Sequence, residues 1–141
     1  MRRKIGYVLT VFLVVLTAFC AVACKVGDGN AKVVSASETQ VVIEVKETDG
    51  NATLLDIMNE LQESEEISFT VVSGMVTEIN GKANTADFSG CWMLYTSDTE
   101  MSNSEWGTVE YDGQTFASAI LGAETLTVVE GGLYIWSYQS F

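Results

Sequence analysis

The chain is 141 residues long, with 19 acidic side chains, seven basic ones and no histidine, and its formal net charge is −12. This length predicts a single domain, and a hydrophobic fraction of 48% is too high for a disordered chain. The charge excludes nucleic acid as a partner, because binding to the phosphate backbone requires clustered lysine and arginine.

The N-terminus has the features of an export signal. Residues 2–4 are basic, residues 5–19 form an apolar run, and small residues precede Cys24. This order is that of a secretory signal peptide, and residues 21–24, AVAC, resemble a bacterial lipobox, whose cysteine takes the lipid. We therefore expect a lipoprotein signal peptide over residues 1–23 and a membrane lipid anchor at Cys24, on the outer face of the bacterial cytoplasmic membrane. An uncleaved membrane helix and cleavage without lipidation remain open.

Removal of the signal peptide leaves a more acidic chain. Residues 24–141 keep all 19 acidic side chains and only four lysines, a net charge of −15. This charge disfavours anionic ligands and leaves cationic, zwitterionic and neutral ligands open. With Cys24 lipidated, Cys91 has no intramolecular disulfide partner, and its apolar surroundings predict a buried thiol.

Residues 24–39 show little periodicity and predict a tether before a domain at 40–141. Apolar residues at helical spacing predict a helix over residues 53–63 that is capped by Thr53. This gives an α+β domain, a small sheet with one helix packed across it. The predicted strands are residues 40–46, 67–72, 75–79, 91–96, 106–111, 124–129 and 133–139, with tight turns at Asn80-Gly81 and Asp112-Gly113.

Four stretches stand in a recognisable order: residues 52–56 (ATLLD), 76–81 (VTEING), 90–95 (GCWMLY) and 130–138 (EGGLYIWSY). Together they resemble the transcobalamin-like C-terminal domain, a bacterial extracellular module related to the β-domain of cobalamin carriers. The resemblance spans residues 41–138 and implies a β-grasp-like sheet with one helix packed across it. The chain departs from the family at Gly132, where Asp is usual, and in residues 97–114, which are longer than usual.

The residue types limit the chemistry. Without histidine, Ser-His and Cys-His nucleophile pairs and histidine-based metal sites are excluded. None of the many carboxylates has a distinctive context for acid–base work. We therefore expect no enzymatic activity, no catalytic residue, no metal site and no cofactor.

Aromatic side chains are the remaining candidates for binding. Trp106 and Tyr111 lie in the long segment beside polar residues, where an exposed aromatic can anchor a flat ligand or a partner. With Trp92 of the central strand they are the predicted ligand-binding residues. Trp136 and Tyr138 share one face of the last strand and are predicted to be core.

Two functions compete. The first is a surface-anchored binding module for a small molecule, and the resemblance implies a corrinoid such as cobalamin. In the cobalamin carriers the ligand lies between this domain and a helical domain, so a lone domain would need a second chain. The alternative is a protein–protein docking or adhesion module at the cell envelope with no small-molecule ligand. A concave lip formed by residues 97–114 would favour the first, and an edge strand the second.

If Cys24 carries the lipid, replacing it is expected to change the cell fraction in which the protein is found. Cys24→Ala removes the thiol that would carry the lipid, so the protein is expected to move from the membrane fraction to the soluble fraction. Immunoblotting of separated fractions measures this. Unchanged retention of the variant in the membrane would contradict lipidation and favour the uncleaved helix.

Overall fold

The computed structural model describes residues 29–141, and the predicted signal peptide and Cys24 lie outside the described residues. Residues 29–141 contain one α-helix, nine β-strands and a short 3₁₀ turn. Their bounds are β1 Ala31–Ala36, β2 Gln40–Val45, α1 Leu54–Glu63, β3 Phe69–Val72, β4 Met75–Ile79, β5 Lys82–Ala83, β6 Gly90–Thr96, the 3₁₀ turn Thr99–Met101, β7 Ser102–Tyr111, β8 Gln114–Ala119 and β9 Leu133–Ser140.

The strands of residues 29–141 form two sheets. The larger sheet has the order β1-β2-β9-β6-β8-β7, and the smaller has the order β3-β4-β5. Neighbouring strands in both sheets are antiparallel. Two antiparallel sheets with one helix confirm the predicted α+β class.

Helix α1 begins and packs as its sequence predicts. The Asp56 N–H donates to Thr53 Oγ1 at 3.2 Å, and the Thr53 N–H donates to Asp56 Oδ2 at 2.9 Å, which completes a capping box. The apolar residues at three- and four-residue spacing face inward. The buried side chains of the helix are Leu54, Ile57, Met58 and Leu61.

The two faces of the larger sheet carry separate apolar clusters, because side chains alternate along each strand. On one face, Ile43 and Trp136 belong to the same cluster as the buried residues of α1. On the opposite face, Val42 and Ile135 belong to a smaller cluster. The last strand therefore supplies core to both faces.

The predicted tether differs from the structure over residues 31–36, which form β1. This strand pairs with β2, from Ala31 opposite Val45 to Ala36 opposite Val41. It is an edge strand, and Ala31 is the one residue in it that is buried. Pairing with β2 holds this segment in a strand, although its own sequence shows no alternation of apolar and polar residues that would predict one.

The predicted strand at residues 124–129 is wrong. Leu126 and Val128 are buried, and their backbone contacts the start of α1 and the residue before its cap. The Leu54 N–H donates to the Leu126 carbonyl at 2.8 Å, and the Val128 N–H donates to the Ala52 carbonyl at 3.0 Å. The alternating apolar residues therefore serve packing against the helix end.

Strand β8 has no counterpart among the predicted strands, and β7 begins at Ser102, before the predicted strand at residues 106–111. The second half of β8 consists of small residues, Ala117, Ser118 and Ala119, whose strand propensity is weak. The turn at Asp112-Gly113 is confirmed, since Tyr111 pairs with Gln114 across it. The sequence therefore predicted the turn correctly but not the strand that follows it.

An aromatic pair joins the two sheets. The rings of Trp92 on β6 and Tyr138 on β9 meet edge to face, with centroids 5.5 Å apart. Trp92 Nε1 donates to the Lys82 carbonyl at 2.7 Å, and the Tyr138 hydroxyl donates to the Ala83 carbonyl at 3.2 Å. The Lys82 ammonium lies 4.4 Å from the centroid of the Tyr138 ring. These contacts hold β5, and with it the smaller sheet, against the larger one.

Candidate ligand-binding cavity

A cavity lies where β6 and β8 separate. The two strands pair at two positions only, and the last pair is Tyr95 with Ser118. Beyond Ser118 the chain follows residues 101–102, and the Ile120 N–H donates to the Met101 carbonyl at 3.0 Å. The turn between β3 and β4 lines the same gap, which encloses about 530 Å³.

The lining of this cavity is uncharged. None of its 17 lining residues is acidic or basic. Its most buried large side chains are Trp92, Leu94 and Trp136, which are 5%, 7% and 5% exposed. A concave, mostly apolar lining with few polar groups is typical of small-molecule sites.

The opening of the cavity is also apolar. Eight large hydrophobic side chains of residues 29–141 are exposed, and four of them line this cavity. These are Met75, Phe88, Ile120 and Leu121, with exposed fractions of 52%, 55%, 38% and 40%. Isolated exposed apolar residues are ordinary, but a group around one opening indicates a binding surface.

Phe88 is held at the opening by a tight loop. Its φ of 58° lies in the left-handed region, a conformation that costs a non-glycine residue about 1–3 kcal/mol. The loop is closed on both sides of Phe88. The Gly90 N–H donates to Thr85 Oγ1 at 2.9 Å, and the Ser89 hydroxyl donates to Asp87 Oδ1 at 2.7 Å. The surrounding hydrogen bonds therefore impose a strained backbone that exposes an aromatic ring.

Trp136 supplies an unpaired polar atom. Its Nε1–H is buried and has no protein acceptor among residues 29–141. Leaving a buried donor unpaired costs about 1–3 kcal/mol. The side chain of Trp136 also lines the cavity, but its Nε1 atom is shielded from the accessible space.

Cys91 lies at the same cavity. It is a free thiol and is half-buried, so the prediction of a buried thiol is wrong. Its Sγ lies 3.8 Å from Sδ of Met93, two residues along the same face of β6. Both sulfur-bearing side chains line the cavity and add polarisable surface to it.

The structure separates the three predicted ligand-binding residues. Trp92 lines the cavity, whereas Trp106 and Tyr111 do not. Trp106 is 61% exposed in an irregularity of β7 between Asn103 and Thr108. Tyr111 packs against the smaller cluster on the other face of the sheet. The long segment at 97–114 therefore forms an edge strand and its turns.

The residues that sequence reasoning missed come from four separate segments. Met75, Phe88 and Leu121 lie in loops or at a strand end, and Trp136 lies in a strand predicted to be core. Phe88 carries a local signal, because an aromatic between Asp87 and Ser89 sits in a turn-forming sequence. Nothing in the sequence alone brings it close to Leu121.

Other sites are less suited to a ligand. A second cavity of about 530 Å³ lies beside the turn at Asn80-Gly81, and it lacks large apolar side chains. Residues 29–141 contain no cluster of three or more histidine, cysteine, aspartate or glutamate side chains that could hold a metal ion. No helix within this part of the chain is long and apolar enough to cross a membrane.

No protein-family model matches the chain, and neither curated proteins nor solved structures include one that is significantly similar to it. The resemblance to the transcobalamin-like domain therefore stays a prediction.

The hydrogen bonds of the loop that holds Phe88 are expected to change the pKa of Asp87, which can be measured. Hydrogen bonds from the Ser89 side chain, the Ser89 backbone and the Thr85 hydroxyl lower the pKa of Asp87 from 3.8 to about 2. We expect Ser89→Ala to raise this pKa toward 3.8, because it removes the largest cause. Carbon-13 NMR of the Asp87 carboxyl group against pH measures it, with Ser37→Ala as the control.

The lowered pKa of Asp87 determines how its contribution to stability depends on pH. The folded protein has the lower pKa, so ionised Asp87 stabilises the loop fully above about pH 4. This contribution is lost as pH falls from about 4 toward 2. A pKa near 3.8 in the unsubstituted protein would contradict the hydrogen-bonded loop.

Proposed function

We propose that this protein is an extracytoplasmic binding module that holds a small, mainly apolar molecule in the cavity between its two sheets. The observation that carries the proposal is the uncharged cavity opening through a group of exposed apolar side chains. We further propose that the lipid on Cys24 anchors the module at the membrane surface.

The volume of the cavity and the net charge of the chain limit the class of ligand. A cavity of about 530 Å³ lies within the range of about 300–1,000 Å³ common for small-molecule sites. The net charge of −15 over residues 24–141 works against an anion. A corrinoid stays a prediction from the family resemblance, and its polar periphery matches this lining less well than a smaller apolar molecule does.

We propose a β-grasp-like arrangement, and its support is a single helix whose buried side chains share a cluster with one face of the larger sheet. This arrangement leaves the gap between β6 and β8 uncovered by the helix and available to a ligand.

A ligand titration of the protein and of its Phe88→Ala variant tests the proposal. Nitrogen-15 NMR of the full chain in detergent micelles follows the indole N–H signals of Trp92, Trp106 and Trp136 during titration with naphthalene or cobinamide. We expect saturable shifts of Trp92 and Trp136 with at least one of these probes. Phe88→Ala is expected to weaken that binding by about five- to tenfold, because it removes an aromatic contact at the opening.

Trp106→Ala is the matched control, since it removes an exposed aromatic that lies outside the cavity. It is expected to leave affinity within about twofold. Absence of any saturable shift of Trp92 and Trp136 would overturn the proposal, as would equal losses in the two variants. The readout lies on the protein, so partition of a probe into micelles affects all variants alike.

A second candidate function has its own observation. β7 is an edge strand, and residues 83–141 hold eight acidic side chains and no basic one. Exposed Trp106 lies on this edge between Glu105 and Glu110, which are also exposed. These features favour docking of an extended, lysine-rich segment of an envelope protein by strand addition, and they disfavour a second acidic copy of this chain.

An alternating lysine–valine peptide tests this second function. The peptide is expected to shift the Trp106 indole signal, and the double variant Glu105→Gln/Glu110→Gln is expected to weaken binding by at least fivefold. The control is Glu60→Gln/Glu63→Gln on α1, which removes the same charge elsewhere. Equal weakening by both double variants would show unspecific charge attraction and would reject a site on β7.

A further inference from the structure

We infer that the cavity favours ligands that carry a positive charge beside an apolar body, and that the carboxylate of Glu124 is the group that recognises this charge. The ligand class is that of hydrophobic amines, whose apolar part fills the cavity while the ammonium group stays at its edge. This inference rests on the proposed function, and it deepens it by assigning a ligand class and a specificity-determining residue to the same cavity.

The carboxylate of Glu124 lies beside the cavity and is open to solvent. Glu124 directly follows Ala123, which lines the cavity. Its carboxylate occupies the space that a side chain on Gly74 would fill, and Gly74 lines the cavity from the turn between β3 and β4. Glu124 is an exposed residue, so the charged end of a ligand that projects from the cavity can reach it.

The lysines of the described part of the chain lie elsewhere. There are three of them, and none lines the cavity. Lys32 lies on β1 and Lys46 directly follows β2, and β9 separates both of these strands from β6. The Lys82 ammonium lies 4.4 Å from the centroid of the Tyr138 ring. A cation at the edge of the cavity would therefore have to come from a ligand.

A second carboxylate, that of Asp87, adds negative charge at the same opening. Asp87 is exposed and directly precedes Phe88, whose ring is one of the apolar groups there. Its Oδ1 accepts hydrogen bonds from the hydroxyls of Thr85 and Ser89, at 2.9 and 2.7 Å. Asp87 thus serves the loop and contributes only its charge, whereas Glu124 supplies the contact.

The cost of moving a charge out of water determines where the ammonium group lies. Inside the uncharged cavity it would lose its water and gain no charged partner, which is costly. At the edge it keeps water and meets the Glu124 carboxylate, and an exposed ion pair of this kind adds a modest gain. An anion in the same place is repelled by Glu124 and Asp87. A cation on a given apolar body is therefore favoured over a neutral group, and a neutral group over an anion.

Naphthylmethylamine and naphthylmethanol test this inference, because they share one apolar body and differ in charge at neutral pH. Each is titrated into the full nitrogen-15-labelled chain in zwitterionic micelles, and the Trp92 indole signal gives the affinity. The measured quantity is the affinity ratio of the amine to the alcohol. Comparing this ratio between protein variants cancels the partition of each probe into micelles.

Glu124→Gln removes the charge and keeps the size of the side chain. We expect it to lower the affinity ratio by about two- to fivefold, as the loss of one exposed ion pair does. Glu130→Gln is the matched control, since Glu130 is also exposed but does not line or adjoin the cavity. Added salt is expected to lower the ratio in the unsubstituted protein more than in Glu124→Gln, because it screens the pair.

The outcomes separate the two proposals. If neither probe shifts the Trp92 signal in a saturable way, binding of small apolar molecules by this cavity is rejected, and the inference falls with it. If both probes bind but Glu124→Gln and Glu130→Gln give the same affinity ratio, recognition of the charge by Glu124 is rejected while the cavity remains a binding site.

Discussion

The contact between Trp92 and Tyr138 is the interaction on which the rest of this architecture depends. Each ring packs against the other, and each polar tip donates a hydrogen bond to the backbone of β5. The smaller sheet is thereby held at a fixed place on the larger one. Because Trp92 also lines the cavity, the contact that joins the sheets also shapes the candidate site. Gly90 fits this contact, since a Cβ there would lie 2.5 Å from the Tyr138 hydroxyl.

The cavity exists because a strand pair ends early. On the N-terminal side of Tyr95, β6 continues and could pair with a longer β8. The chain after β8 follows residues 101–102 instead. Closing the gap would bury the apolar side chains around it, so the open form carries a cost in exposed apolar surface. The strained φ at Phe88 adds a second cost at the same opening. Two costs at one opening are what a binding function would explain.

The chain separates its two candidate surfaces. The cavity is uncharged, whereas the edge at β7 lies in a stretch of eight acidic and no basic side chains. Trp106 belongs to the edge and Trp92 to the cavity, although both were predicted to bind one ligand. Pairing of β7 with β8 separates them, since Trp106 lies in an irregularity on the outermost strand. A ligand and a protein partner would therefore use different residues.

The sequence alone determined the elements whose signals are local. Helix α1 follows from its apolar spacing and capping box, the turn at Asp112-Gly113 from its residue types, and the acidic charge from counting. Tertiary structure decided what depends on a partner. β1 and β8 become strands by pairing with neighbours, and Leu126 and Val128 pack against a helix end. The cavity required Phe88, Leu121 and Trp136 to meet from separate segments. Such contacts arise from packing between elements, which no local pattern encodes.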